Sequence, residues 1–410
     1  MAIDFTFPPE IEKIRQRVRA FMDDEVRPAE AEISQSGDDR KVLIEHIIRL
    51  RGRAKEVGLW LPHMPPELGG MGLGPTAMAA VSAEAARTGI GPFVMNAQAP
   101  DEGNMHTLEA WATPDQRQRY LEPLCAGTTR SCFAMTEPEV AGSDPTLIRT
   151  HATFDESSNE WVINGHKWFI SGARGAAFAI LIARTEDEPE IPQAANTAFI
   201  VETHWEGWEV VRDIETMSGS HNHCEIRITD LRVPDENRLG GRGEGHKLGQ
   251  ARLGPARLAH CMRWIGQIET ALEMMVDRAT KRYSHGSMLS EKQGIQWMIS
   301  DSVMELYQAK LMVLHAASKI EAKEDFRSEV SMAKHHVANT LWRTVDRAVQ
   351  VHGALGYSND SPLAGMLKQA RWSRFADGAD EIHQWRIAQR AIDAWTEHGS
   401  LRAAVGDLPL

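Results

Sequence analysis

The amino-acid sequence predicts an α+β protein with three consecutive parts: an N-terminal α-helical domain, a middle antiparallel β-barrel or sheet domain, and a C-terminal four-helix bundle. Three observations predict this order. Apolar residues recur with helical spacing through residue 130, short β-branched runs follow Ser131, and long helical periods begin after Gly245. The 410 residues are 42% hydrophobic, which is enough to build a core in each part. We expect domains at residues 1–130, 131–245 and 246–410.

The N-terminal part begins with an amphipathic helix after Pro8. Proline removes a backbone donor, so Pro28 predicts the end of this helix. Further helical segments are predicted around Leu50, at 77–86 and at 114–121. The apolar face of the first helix carries Ile11, Ile14, Val18 and Phe21.

The middle part is expected to form an antiparallel sheet. Asn164-Gly165 lies between two strand-like runs and predicts a two-residue hairpin, because a type I′ turn needs positive φ at both central residues. No helix separates the strand-like runs, which argues against βαβ units. The further strands are predicted at 178–182, 198–201, 208–211 and 224–229.

The C-terminal part is predicted to consist of long helices joined by short loops, as in a bundle. One helix carries apolar residues at a spacing of about 3.5 to 3.6 residues. Two more are expected at about 291–322 and 328–351. The periodic positions of the first are Leu258, Met262, Ile265, Leu272, Val276 and Ala279.

Charge and composition exclude several classes of function. The net charge of −12 does not attract nucleic acid or anionic lipid. The longest apolar stretch, at 176–183, is far too short to span a bilayer, and the first residues show no secretory signal. We therefore expect a cytoplasmic protein that binds neither nucleic acid nor a membrane.

Cysteine and histidine spacing predicts no metal site. The four cysteines are scattered and indicate reduced thiols rather than disulfides. The segment from His221 to Cys224 places the alternate side chains of His221 and His223 on one strand face, which suits two metal ligands. The sequence offers no third or fourth ligand beside them. The alternative interpretation is a polar strand end, and this is the one we favour.

Five segments, in order along the chain, resemble the acyl-CoA dehydrogenase family. The resemblance extends over nearly the whole chain and implies an acyl-CoA dehydrogenase-like fold with bound FAD. Each segment falls on a predicted strand, helix or loop that suits it. The segments are FAMTEPEVAGSD at 133–144, NGHKWFISG at 164–172, RYSHG at 282–286 with Gln293, QVHGALG at 350–356 and FADGADEIH at 375–383.

The resemblance assigns the flavin contacts residue by residue. Met135 and Thr136 would contact the pyrimidine edge of the flavin, and Phe169 and Ser171 would lie beside the ring and its N5 atom. The alternative role for Thr136 is that of a strand-end cap. The adenosine diphosphate half would be held largely from a neighbouring subunit, which implies a homodimer or homotetramer. Phe133 and His285 replace residues more usual in the family. The full set is Phe133, Met135, Thr136, Gly142, Ser143, Phe169, Ser171, Arg282, His285, Gln293, Gln350, His352, Gly353 and Glu381.

The resemblance places the catalytic base at Asp377, where the family most often has glutamate. A carboxylate takes the α-proton of an acyl-CoA while the β-hydrogen leaves as hydride to flavin N5, giving a 2-enoyl-CoA as in fatty acid β-oxidation. Electrons would then pass to an electron-transfer flavoprotein. Ser143, Arg257 and Gly378 are the expected substrate contacts. Some family branches carry the base on the helix near Arg257, but this chain has Ala256 there.

Several alternatives stay open at this point. Asp377 could be a helix N-cap ahead of Glu381, and Arg257 a plain helix-surface arginine. Family relatives that oxidise nitroalkanes also use an aspartate as their base, and other relatives react with oxygen as oxidases. An alternative from another class of function is a binding subunit that carries no flavin. The motifs look most like the branch whose animal members can be fused behind a kinase-like domain, which is associated with longer, branched or 4-oxygenated acyl chains.

Overall fold

The structure, a computed structural model, describes residues 6–37, 39–219 and 223–405 and divides them into two compact units. Within the described residues, the first unit comprises Met1–His63, Met71–Met95 and Arg257–Leu410. The second comprises Met64–Gly70 and Asn96–Ala256. The N-terminal and C-terminal helical parts and the middle sheet predicted from the sequence are all present.

The first helical run of the first unit continues further than predicted. The predicted end at Pro28 is wrong: a π-helical turn at Met22–Val26 leads directly into the next helix, and Pro28 lies in its first turn. The Arg27 amide donates to the Met22 carbonyl across this π-helical turn, so the chain stays helical although Pro28 itself has no amide hydrogen. The helices are α1 (Pro9–Phe21), α2 (Arg27–Gln35), α3 (Arg40–Glu56), α4 (Pro75–Ala85) and α5 (Gly91–Val94).

The C-terminal helices supply most of the core of the first unit. Leu258, Ala309 and Val337, from three successive long helices, are almost fully buried in one apolar cluster. The predicted long helices are confirmed. They are α9 (Gly245–Lys281), which enters this unit at Arg257, α10 (Gln293–Glu321) and α11 (Arg327–His352); α12 (Ala354–Tyr357), α13 (Leu363–Trp372), α14 (Asp380–His398) and α15 (Arg402–Val405) follow. A short hairpin of β9 (Tyr283–Ser284) and β10 (Ser287–Met288) separates α9 from α10.

The second unit is built around an eight-stranded sheet preceded by three helices, α6 (Asp101–Trp111), α7 (Pro114–Gln116) and α8 (Glu122–Ala126). The path is β6-β7-β3-β2-β4-β5-β8, with β1 added beside β4. The strands are β1 (Ser131–Ala134), β2 (His151–Asp155), β3 (Glu160–Ser171), β4 (Phe178–Arg184), β5 (Asn196–Glu202), β6 (Trp208–Asp213), β7 (His223–Pro234) and β8 (Arg238–Leu239). β1 runs parallel to β4, and β2 makes one parallel bridge to it, so the sheet is mixed rather than wholly antiparallel.

The predicted hairpin at Asn164-Gly165 is wrong. Both residues lie inside β3, which pairs with β7 on either side of an irregularity at this point. Glycine is needed here for clearance, since a Cβ at Gly165 would lie 2.2 Å from the Thr150 hydroxyl oxygen. The turn that joins β2 to β3 falls at 156–159, where Asn159 has φ of 57°.

Three further features of the described residues are their potential metal ligands, their cysteines and the apolarity of their helices. His221 lies outside them, and the residues that are described contain no group of three or more potential metal ligands. All four cysteines are buried thiols. Within the described ranges, none of the helices combines the length and apolarity needed to cross a bilayer.

Candidate functional site

One group of predicted site residues lies where β1 ends in the second unit. Phe133 is part of β1, and the Arg252 guanidinium lies 4.1 Å from the centre of its ring. Arg252 also donates to Asn104 Oδ1 at 2.8 Å, which fixes the cation over the ring. Just beyond the strand, the Thr136 carbonyl accepts from the Trp168 amide at 3.0 Å. The segment that follows β1 is thereby attached to β3.

A fully buried ion pair holds this segment in place. Lys167 Nζ donates to Glu137 at 2.8 Å and to the Met135 carbonyl at 2.9 Å. Burial lowers the pKa of Lys167 to about 8. Burial alone would raise the pKa of Glu137, but the Lys167 ammonium and the amides of Arg149 and Thr150 lower it on balance. Both groups are therefore charged at neutral pH, and the pair fixes the backbone at 135–137.

Phe169 and Ser171 lie at the far end of β3. Phe169 has φ of 53° and its side chain is 44% exposed, which is unusual for a phenylalanine in a sheet. The Ser171 hydroxyl lies 2.9 Å from His223 Nδ1, on β7. Burial lowers the pKa of His223, which keeps its ring neutral. His223 was considered from the sequence only as a metal ligand, and its contact with Ser171 was missed.

The loop after β1 brings Gly142 close to Thr136. A Cβ at Gly142 would lie 3.2 Å from the Thr136 methyl, so the loop folds back over that side chain. Ser143 is exposed in the same loop. Together with the exposed Phe169 ring and the Ser171 hydroxyl, these groups suit a planar aromatic ligand that also carries hydrogen-bonding atoms, as the flavin of FAD does.

Six further residues predicted to contact FAD, all but His285 at its adenosine diphosphate half, lie at two places in the first unit. The first is at the end of α9 and the start of α10, where His285 has φ of 48° and hydrogen bonds with the Ser284 hydroxyl at 2.7 Å. The second is the C-terminal end of α11, where Gly353 has φ of 66°. Glu381 is exposed in the first turn of α14. The residues at the two places are Arg282, His285 and Gln293, and Gln350, His352 and Gly353.

Asp377 lies in the loop between α13 and α14, on backbone that two cations hold. Asp377 has φ of 52° and Gly378 has φ of 112°, conformations that L-residues adopt at a cost. Arg257 donates to the Asp377 carbonyl at 2.6 Å, and Lys334 Nζ donates to the Gly378 carbonyl at 2.7 Å. The strained turn is thus fixed through its main-chain oxygens.

Both alternative interpretations of these residues are wrong. The N-cap position of α14 is Ala379 and no side chain caps it, so Asp377 is not a helix cap. Arg257 is not a plain surface arginine, because it binds the Asp377 loop and burial lowers its pKa. The reason is that residues 377 and 378 turn their carbonyl oxygens toward α9 and α11.

His383 lies beneath this turn. Its side chain is 3% exposed, and burial lowers its pKa to about 3, so the ring is neutral. A Cβ on Gly378 would lie 2.9 Å from His383 Nε2, which together with the positive φ makes glycine necessary there. The neighbouring Asp380 accepts from Asn339 at 3.0 Å and from Arg374 at 2.8 Å.

A second histidine contacts the Asp377 carboxylate itself. His260 Nε2 lies 3.3 Å from Asp377 Oδ2. Sequence reasoning missed both His260 and His383 as neighbours of Asp377; the only available signal was that His260 follows Arg257 by three positions, on the same helix face. A carboxylate that contacts a histidine, on a turn whose main chain two cations hold, can accept a proton from a bound ligand.

Comparison with known proteins identifies relatives over almost the whole chain. Family models match residues 8–128 (acyl-CoA dehydrogenase, N-terminal domain), 132–231 (middle domain) and 243–392 (C-terminal domain). A probable acyl-CoA dehydrogenase of Mycobacterium tuberculosis is 35% identical over 412 residues, covering 98% of this chain and 100% of the relative. The structure of a putative acyl-CoA dehydrogenase from Mycobacterium abscessus superposes with a TM-score of 0.90 and 32% identity, covering 95% and 100% of the two chains.

Vertebrate relatives are longer than this chain. Acyl-CoA dehydrogenase family member 11 of Gallus gallus is 35% identical over 394 residues, which are 92% of this chain and 50% of the relative. The chain thus spans about half the length of the vertebrate protein it matches.

Proposed function

This chain belongs to the acyl-CoA dehydrogenase family, and we propose that it oxidises an acyl-CoA to the 2-enoyl-CoA with FAD as its cofactor and Asp377 as its base. The observation that carries the assignment of the base is the strained, doubly anchored turn at Asp377. Rigid positioning of one carboxylate is what abstraction of an α-proton requires.

Asp377 performs the proton step in this proposal. Its carboxylate takes the α-proton of the thioester and becomes the acid, while Arg257 and Lys334 keep the loop backbone fixed. FAD, when bound, supplies the acceptor for the β-hydrogen, which leaves with its electron pair. Aspartate is about 1.5 Å shorter than the glutamate more usual at this position, so the α-carbon has to approach the loop more closely.

We assign the flavin end of FAD to the segment after β1 and to the end of β3. Met135, Thr136, Phe169 and Ser171 would hold the ring and its polar edge, with His223 fixing the Ser171 hydroxyl. The remaining proposed FAD contacts in this part of the chain are Phe133, Gly142 and Ser143, of which Ser143 would contact the pyrophosphate. The adenosine diphosphate half is assigned to Arg282, Gln293, Gln350, His352 and Gly353, and His285 and Glu381 are further proposed FAD contacts.

Further parts of the proposal concern partners and organisation. Exposed aromatic residues on α10 and α14, such as Trp297 at 61% and Trp395 at 62%, support association into a homodimer or homotetramer. An electron-transfer flavoprotein is proposed as the electron acceptor, and Ser143, Arg257 and Gly378 as substrate contacts. The domain limits at 130 and 245, the role in β-oxidation and the cytoplasmic location stay predictions.

The direct test is anaerobic mixing of the FAD-loaded protein with acyl-CoA esters of varied chain length and branching. The unmodified protein is expected to lose its flavin absorbance, and Asp377→Asn to lose that reaction while keeping its FAD. Asp346→Asn, an exposed aspartate on α11, is the matched control. Bleaching of Asp377→Asn at the rate of the control would refute the assignment. Turnover of a nitroalkane, or steady peroxide formation in air, would instead favour the oxidase alternatives.

A further inference from the structure

His260 contacts the proposed base, yet none of the five segments that carry the family resemblance contains it. Its Nε2 lies 3.3 Å from Asp377 Oδ2. The His260 side chain is 11% exposed, whereas that of Asp377 is 27% exposed. The histidine therefore approaches the carboxylate from the protein interior and leaves part of it accessible.

Three neighbours fix the imidazole ring. Trp264 stacks on one face, with ring centres 5.5 Å apart and planes 23° apart, and Trp372 meets the ring edge-on at 5.5 Å. The two tryptophans also contact each other, at 5.9 Å. The imidazole is thus held in a rigid aromatic frame that fixes the direction of both its nitrogens.

The third neighbour, Arg263, decides where the ring proton lies. Its Nη2 is 3.4 Å from His260 Nδ1, and Arg263 is buried. A guanidinium has only donors, so Nδ1 has to accept. A neutral imidazole that accepts at Nδ1 carries its proton on Nε2, the atom that faces Asp377.

The other charged or titratable groups around the contact between His260 and Asp377 lie on three helices. Arg257 and Arg263 belong to α9 with His260, Lys334 and His335 to α11, and Asp380 and His383 to the start of α14. Arg257 and Lys334 bind the main-chain oxygens of residues 377 and 378. They fix the loop, whereas His260 contacts the carboxylate itself.

We propose that His260 is a positioning residue for proton abstraction: it donates from Nε2 to Asp377 Oδ2, which keeps the carboxylate ionised and fixes its rotation. The inference rests on the proposed function of Asp377. His260 keeps its own proton throughout, and the α-proton of the substrate ends on Asp377. The hydrogen bond is strongest while Asp377 is ionised, so it favours the state that is ready to react.

The test uses three variants that differ in the donor they present. His260→Leu removes the donor, His260→Gln places an amide N–H near the position of Nε2, and His260→Asn carries the same amide on a shorter side chain. We expect anaerobic flavin bleaching by acyl-CoA to slow on the order of 100-fold in His260→Leu and His260→Asn, and about 10-fold or less in His260→Gln.

Two readouts separate positioning from a purely structural role. The acidic limb of the pH–rate profile is expected to move to higher pH in His260→Leu, because the ionised carboxylate has lost a donor, and to stay in place in His260→Gln. The affinity for 2,2-dimethylbutyryl-CoA, which has no α-hydrogen, is measured by calorimetry and is expected to change by less than about threefold.

The outcomes separate this inference from the proposed function. Equal rates and pH profiles in His260→Leu and the unmodified protein would overturn the positioning role, as would equal losses in His260→Gln and His260→Asn. If His260→Leu loses its FAD or its fold, the positioning role is tested by comparing the bleaching rates of His260→Gln and His260→Asn. If Asp377→Asn bleaches normally, the proposed function itself fails, whatever His260 does.

Discussion

The buried neutral His383 predicts a specific loss of stability in mild acid. Its pKa is about 3 in the folded protein against 6.5 for an ordinary histidine, because burial disfavours the charged ring. The unfolded chain therefore takes up a proton at this residue before the folded chain does. The stabilisation is complete above pH 6.5 and is lost as the pH falls toward 3.

The magnitude follows from the two pKa values. Each pKa unit corresponds to about 1.36 kcal/mol, and at pH 5 the ring of the unfolded chain is almost fully protonated while that of the folded chain is not. Between pH 7.5 and pH 5 this single group removes about 2 kcal/mol from the free energy of unfolding. The side chain is 3% exposed, so solvent screening does not reduce this figure much.

The assay compares urea unfolding at pH 7.5 and pH 5 for the unmodified protein, His383→Gln and His398→Gln. His398 is an exposed histidine on the same helix and serves as the matched control. Going from pH 7.5 to pH 5, His383→Gln is expected to lose about 2 kcal/mol less than the other two. An identical pH dependence in all three proteins would refute the argument that His383 is buried and uncharged.

Two further predictions concern the buried ion pair and the strained turn. Glu137→Ala leaves the Lys167 ammonium buried without its carboxylate, so urea unfolding should show a loss of about 3–5 kcal/mol, part of which the double variant Glu137→Ala/Lys167→Met recovers; equal stability of the double and single variants would contradict this. Gly378→Ala places a Cβ 2.9 Å from His383 Nε2 on backbone with φ of 112°. It should slow flavin bleaching at least about 10-fold with unchanged circular dichroism, and an unaffected rate would show that the turn tolerates a side chain.

The helices could be placed from the sequence because their periodicity is a local property. The helix predicted at 291–322 is confirmed as α10, which spans Gln293–Glu321. The prediction of a hairpin at Asn164-Gly165 failed because glycine is required there for another reason. Gly165 leaves room for the Thr150 side chain, which belongs to a different segment of the chain. Local sequence cannot distinguish a glycine needed for φ from one needed for space.

The candidate site was predictable where a motif carries it and not elsewhere. Asp377 follows from the family segment at 375–383, but the environment that holds it does not. His260 meets Asp377 only because α9 and the loop before α14 come together in the folded chain, and Arg263 then fixes the tautomer. Contacts of this kind depend on tertiary packing, which no spacing rule in the sequence records.

The main-chain anchoring of residues 377 and 378 makes the identity of the base separable from the shape of its loop. Neither Arg257 nor Lys334 requires a particular side chain at residue 377, because each binds a carbonyl oxygen. Aspartate tolerates left-handed backbone better than longer residues do. A lineage, or a protein engineer, can therefore exchange the carboxylic acid for one of another length and alter reach without rebuilding the scaffold.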